Sequence, residues 1–270
     1  MTSLLGRTKA ELEKLGIRPS KRLGQNFLVD GNSIGKLLSL ADVRAGDTVV
    51  EIGAGLGAIS EKILEAGASL FAVEIDGRLC DFLLEKFADR ENFHLKCADA
   101  VHWPVAGLWP EISDFSVVAN VPYAISSPWA DAMLAGEHLP RTVTLVLQMD
   151  VARRFFATHE PSEICPISIF LQSAYDKICM HRIPRTAFYP PPSVASVLLS
   201  MAVKPMKFLF KRPTKLAIRK IFTKRRKQMG GIVAGECLAV QKWASENNIS
   251  SVARPEEISM EQWQLLDKFF

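Results

Sequence analysis

The chain has 270 residues, 48% hydrophobic and 23% charged, a globular balance with room for one large α/β unit and a small appendage. Its net charge of +4 is modest, and together these values exclude a disordered or fibrous protein. No apolar run reaches the roughly 18–20 residues that a membrane span needs. In chain order, Thr48–Ile52 is a β-branched run that ends in glycines and predicts a strand. Ala58–Ala66 reads as a helix, Ser69–Ile75 as a second strand and Arg78–Phe87 as a second helix. Phe93–Cys97, Phe115–Ala119 and Thr142–Met149 predict three further strands, with Val151–Ala157 as a helix after the last. Ser168–Ala174 and Val194–Val203 are apolar runs with no convincing helix between them, and predict an antiparallel pair. Such alternation implies an α/β fold with a mostly parallel sheet covered on both faces.

The sheet pattern fades after Val203. Lys204–Pro213 holds two prolines and reads as a linker, followed by helical stretches at Lys215–Gln228, Ala239–Glu246 and Gln262–Phe269. Two domains are therefore expected, residues 1–204 and a small all-helical domain from 205 to 270. Charge divides along the same line. Lys177–Gly235 contains 14 Lys or Arg and no Asp or Glu, whereas the rest of the chain has 19 basic and 29 acidic residues. A solvated face usually mixes signs, so this segment calls for a polyanionic partner. Nucleic acid fits best; an anionic membrane surface fits less well, for want of an amphipathic pattern with interfacial Trp. Lys215, Arg219, Lys220, Lys224, Arg225, Arg226 and Lys227 are the candidate phosphate contacts. Lys220, Lys224 and Lys227 are spaced to share one helix face.

Five cysteines stand at irregular spacings without a Cys-x-x-Cys pair, which predicts reduced thiols rather than a disulfide framework or zinc site. The N-terminus lacks an apolar core followed by a small-residue cleavage site, so a cytoplasmic location is expected.

The sharpest local feature is Glu51-Ile52-Gly53-Ala54-Gly55-Leu56-Gly57, which follows the first strand and opens a helix. Glycines there allow a tight turn and let backbone N–H groups approach a ligand. The pattern also satisfies the nicotinamide-dinucleotide fingerprint, so the loop does not choose its ligand. Glu74, ending the next strand, is placed to accept two ribose hydroxyl protons, which suits a dinucleotide or S-adenosylmethionine. Asp99, after the third strand, offers an acceptor for an adenine amine. Asn120-Val121-Pro122-Tyr123 follows the fourth strand. There the Asn120 amide oxygen and an adjacent carbonyl can accept both protons of an amino group, Pro122 fixes the turn, and Tyr123 offers a ring on which a base can stack.

With these motifs in place the sequence resembles the KsgA-type bacterial small-subunit ribosomal RNA adenine dimethyltransferases. The resemblance runs through Lys21-Arg22-Leu23-Gly24-Gln25-Asn26-Phe27-Leu28, the glycine loop, Glu74, Asp99, Asn120–Tyr123, Phe188-Tyr189-Pro190-Pro191-Pro192-Ser193-Val194 and the basic Phe222–Lys227. It implies a Rossmann-like S-adenosylmethionine-dependent methyltransferase sheet with an antiparallel last strand, plus a helical RNA-binding domain. Asn26, Leu28, Gly53, Gly55, Glu74, Asp99 and Asn120 would hold S-adenosylmethionine, and Asn120, Val121, Pro122 and Tyr123 would serve catalysis. The implied partner is 16S ribosomal RNA within a small-subunit assembly intermediate, methylated on adenine N6 by a monomer, without a metal. The family commonly has Gly-Asn-Leu-Pro-Tyr-Asn where this chain has Ala119, Val121 and Ala124, and Lys and Asp where it has Ser193 and Ala195. Two other readings stand beside this one. One is a ribosomal-RNA-binding assembly factor with a secondary or inactive site. The other is a nicotinamide dehydrogenase, which leaves Asn120–Tyr123 and the basic segment without a use.

Overall fold

The computed structural model of the chain describes residues 3–20, 24–136, 138–158 and 160–270, so Lys21-Arg22-Leu23 of the N-terminal motif lies outside the described residues. The chain forms two units: the portion up to Ala152 with Asp176–Val203, and Arg153–Tyr175 with Lys204–Phe270.

The first unit begins with α1 (Leu4–Lys14), where the Ser3 hydroxyl accepts from the Gly6 amide at 3.1 Å. After β1 (Phe27–Leu28), the Asp30 carboxylate caps α2 (Gly31–Ala41) by accepting from the Ser33 amide at 2.9 Å. The alternation expected from the sequence follows: β2 (Thr48–Ile52), α3 (Ala58–Glu65), β3 (Ser69–Glu74), α4 (Gly77–Lys86) and β4 (Phe93–Cys97). Next come β5 (Ser116–Asn120), α5 (Ser126–Met133), β6 (Thr142–Gln148) and α6 (Met149–Phe155). After α7 (Pro166–Ala174), which belongs to the second unit, the chain returns as β7 (Tyr175–Ile183), β8 (Phe188–Tyr189) and β9 (Ser196–Val203).

Seven strands form one sheet in the order β4-β3-β2-β5-β6-β9-β7. The strands from β4 to β6 run parallel, and β9 pairs antiparallel with β6, Val146 standing opposite Leu198. Strands β2, β3, β5 and β6 are buried nearly throughout, as expected of parallel strands covered on both faces. A two-stranded ribbon pairs β1 with β8 in antiparallel register, Phe27 opposite Tyr189 and Leu28 opposite Phe188. Chain order reverses between β2 and β5, and the crevice beyond the carboxyl ends of such strands is where doubly wound sheets bind ligands.

The second unit is helical: α7, then α8 (Arg212–Phe222), α9 (Met229–Val233), α10 (Leu238–Glu246) and α11 (Met260–Leu266). Its centre is aromatic, with Trp243 and Trp263 stacked at 5.2 Å and Phe222 at 6.0 Å from Trp263.

Three expectations are corrected. Ser168–Ala174 is part of helix α7, not a strand: a short apolar run buried on most sides looks the same in either conformation, and Pro166 with the Cys165–Ser168 capping box selects the helix. The strand beside β9 is instead β7, exposed along most of its length and so without an apolar pattern. The helical unit is also larger than residues 205–270, because it takes in 153–175. Phe170 packs 5.5 Å from Phe210, and the Ser173 hydroxyl donates to the Phe208 carbonyl at 2.8 Å. Finally, Cys80 and Cys97 form a disulfide, while Cys165, Cys179 and Cys237 are free thiols. Helix α4 lies over β3 and β4, bringing the two Cα atoms to 6.0 Å, a bridging distance that their spacing in sequence does not reveal.

Candidate active site

Each candidate ligand-binding side chain of the central sheet stands at a strand's carboxyl end. Gly53 leaves β2 at φ +73°, and a Cβ there would come within 3.1 Å of Pro122 Cδ. Gly24, at φ +63°, packs on the same turn, where a Cβ would sit 3.3 Å from the Tyr123 nitrogen. Two glycines in left-handed backbone thus let two separate loops close on Pro122 and Tyr123.

Glu74 ends β3 and is buried. Its Oε2 accepts from the Gly55 amide at 2.9 Å, and its Oε1 accepts from Ile75 and Asp76 at 2.8 and 3.0 Å. Burial pushes this carboxyl above the ordinary range and outweighs the three N–H donors that pull it down. Glu51, inside β2, is fully buried and accepts from the Ser60 hydroxyl at 2.5 Å. Burial, reinforced by the nearby Glu74 charge, pushes it up to about 8.

Asp99 follows β4, and its Oδ1 accepts from the Val101 amide at 2.8 Å. The Ala98 amide donates to the Glu74 carbonyl at 2.8 Å, keeping the two acidic residues at neighbouring strand ends. Asn120 ends β5, and its Nδ2 donates to the Asn26 carbonyl at 2.7 Å. With the amide nitrogen committed there, Oδ1 is the atom with spare acceptor capacity. Asn26 in turn donates from Nδ2 to the Gly24 carbonyl at 3.2 Å. Val121 is buried, while the Tyr123 hydroxyl makes a 2.7 Å hydrogen bond with that of Ser196 on β9. Burial pushes the Tyr123 phenol up, so it stays protonated at neutral pH.

Two adjoining cavities result. Asn26, Leu28, Gly55 and Asn120 line the first and Asp99 the second, while Gly53 and Glu74 line both. The structure therefore brings together every residue that the resemblance assigned to the cofactor. It adds Thr8 from α1 and Ile75 beside Glu74, neither singled out from sequence. Ala124, where the family commonly has Asn, lines the Asp99 cavity and presents only a methyl group.

The basic residues of the helical unit divide differently from the expectation. Helix α8 stops at Phe222, so Lys224 and Lys227 lie in the following turn and do not share a helix face with Lys220. Lys220 and Lys224 both bind Glu236, at 2.8 and 2.7 Å, and that carboxylate is almost wholly buried. Arg225 donates to the Pro161 and Ser162 carbonyls and lies 3.7 Å from Glu256. Arg219 and Lys215 stand over the Phe170 ring at 5.3 and 5.5 Å. Arg226 and Lys227 are exposed. The acid-free stretch ends at Gly235, one residue before Glu236, the partner of two of its lysines.

Residues 17–270 match the family described as ribosomal RNA adenine dimethylase. A ribosomal RNA small subunit methyltransferase A from Opitutus terrae is 43% identical over 268 residues, covering 96% of each chain. The structure of a dimethyladenosine transferase from Plasmodium falciparum shares the fold, with a TM-score of 0.69 at 21% identity over 88% of this chain and 94% of that one. That of the 23S rRNA methyltransferase ErmE shares it too, with a TM-score of 0.60 at 20% identity over 90% and 99%. With the motif residues gathered at one crevice and a match that spans nearly all of the sequence, the chain belongs to the ribosomal RNA adenine dimethylase family.

Proposed function

We propose that the two adjoining cavities hold S-adenosylmethionine and that the Asn120–Tyr123 turn presents the N6 amino group of an adenine to it. The reaction is the family's: two methyl groups transferred in succession to adenine N6 in 16S ribosomal RNA. The residues present suit the methyl donor. Glu74 has acceptor capacity beyond its three N–H donors for ribose hydroxyls. Asp99 Oδ2 lies outside the bond to Val101, with His102 Nδ1 3.8 Å away and too far for a hydrogen bond, and so can accept from an exocyclic amine. When bound, the donor supplies an electrophilic methyl on a sulfonium sulfur.

The chain's own contribution is positioning and electrostatics. Adenine N6 is a weak nucleophile because its lone pair is delocalised into the ring. Accepting both N–H bonds, at Asn120 Oδ1 and the Val121 carbonyl, favours a pyramidal nitrogen with its lone pair available. The proton leaves after transfer, so no strong base is needed. An unstacked adenine recovers part of its stacking energy on Tyr123, roughly 1–3 kcal/mol by analogy with single-strand binding. We further propose that the RNA is recognised within a small-subunit assembly intermediate, by a cytoplasmic monomer.

The observation that carries this reading is the Asn120 amide, tied through nitrogen to Asn26 and left with its oxygen as acceptor. Tritium transfer from labelled S-adenosylmethionine to 16S ribosomal RNA tests it. Asn120→Ala should lower turnover roughly 10²–10³-fold, the scale of losing one positioned polar group, a larger loss than any weakening of cofactor affinity that calorimetry finds. A folded Asn120→Ala enzyme that turns over normally would remove Asn120 from that role.

A further inference from the structure

We propose that the edge strand β7 is an RNA-contacting surface of the first unit, separate from the basic helices of the second. The inference rests on the RNA methyltransferase reading and adds a place where the RNA lies. The acid-free stretch begins at Lys177, inside β7, and not in the helical unit. Seven consecutive residues between Tyr175 and Ile183 are exposed or half-exposed, so both faces of the strand are open. β7 is also the last strand of its sheet.

Alternation along the strand puts Lys177 and His181 on one face, and Ile178, Met180 and Arg182 on the other. Ile178 is 55% and Met180 40% exposed. No ion pair forms at Lys177 or Arg182 among the described residues, whereas Lys220, Lys224 and Arg225 have carboxylate partners. Asp176 is the only acidic residue in the strand, and it precedes the acid-free run. Unpaired cations interleaved with exposed apolar side chains match a phosphate backbone with its riboses and unstacked bases. Such a strand edge otherwise invites pairing with a second copy of the chain, and the side chains at issue separate the two outcomes.

The test measures binding of the full chain to a 16S ribosomal RNA transcript across a salt series. For the double variant Lys177→Gln/Arg182→Gln, the slope of log affinity against log salt should fall by about 1.4–1.8. Affinity at 0.1 M salt should fall roughly tenfold or more, with S-adenosylmethionine affinity and melting temperature unchanged. Ile178→Ser/Met180→Ser should weaken binding severalfold with the slope intact, since apolar contacts release no counterions. Unchanged RNA affinity and slope in both variants would overturn the proposal. So would sedimentation showing a wild-type dimer that Ile178→Ser/Met180→Ser dissociates. If the wild type binds RNA in this β7-dependent way yet transfers no tritium, the surface stands and the catalytic reading fails. If it transfers tritium while the β7 variants bind as wild type, only the surface fails.

Discussion

Glu74 in the first unit and Glu236 in the second are both buried carboxylates, and their surroundings treat them in opposite ways. Around Glu74 the donors are neutral backbone amides, and burial pushes its pKa up. Glu236 is also pushed up by burial, but hydrogen bonds and charge from Lys220 and Lys224 prevail and hold it below the ordinary value. A carboxylate satisfied by neutral dipoles still has charge and acceptor capacity to offer a ligand. One that is neutralised by two lysines has already found its partners, and the lysines are correspondingly less available to RNA. A cluster of charge marks a binding surface only where no internal carboxylate claims it.

The sharpest way to break this comparison is at Glu74. Glu74→Ala should weaken S-adenosylmethionine binding by about 1.5–3 kcal/mol, roughly 10- to 150-fold, as read by calorimetry. Glu74→Gln should lose less, because its amide oxygen still accepts from Gly55 or from Ile75 and Asp76. Equal affinity in all three proteins would show that the ribose is bound elsewhere. A middle-sized effect separates the units by pH. Glu51, raised to about 8, contributes stability that is complete below its unfolded value and is lost as pH rises through about 8. Glu236, lowered, contributes stability present above its unfolded value and lost as pH falls through its folded pKa. Melting curves of Glu51→Gln should flatten the alkaline decline, and those of Glu236→Gln the acid decline. Exchange of the two outcomes would refute the assignment.

The smallest effect lies at Tyr123 and Ser196, whose hydroxyls bond at 2.7 Å. Tyr123→Phe and Ser196→Ala should each reduce kcat/KM for RNA by about 0.5–1.5 kcal/mol, the net value of one hydrogen bond. The double variant should lose no more than either single one, with cofactor affinity constant throughout. Additive losses would mean that the bond does not set the ring.

The residues of the candidate crevice were legible in sequence because their placement follows local rules. Gly53, Glu74, Asp99 and Asn120 each close a strand or follow one directly, so a correct reading of the strands placed them along one crevice in the right order. Thr8 and Ser196 were not legible, since they reach the site through contacts between distant segments and no local pattern marks them. Cys80 and Cys97 were missed for the same reason. Helix α7 was misread because an apolar run buried on most sides has no period to separate helix from strand. The exposed β7 lacked the apolar signal that would have announced it.

One wall of the pocket depends on a part of the chain made much later. Asn26–Leu28 reach the site on β1, whose strand partner is β8, and the Val29 amide donates to the Ala187 carbonyl at 2.7 Å. On a ribosome still translating the segment before Phe188, the glycine loop and Glu74 can already be in place, but β1 has nothing to pair with. The order of synthesis thus makes completion of this pocket a late event. A nascent chain that ends before β8 has most of the sheet and lacks the β1–β8 ribbon that holds Asn26–Leu28 at the pocket.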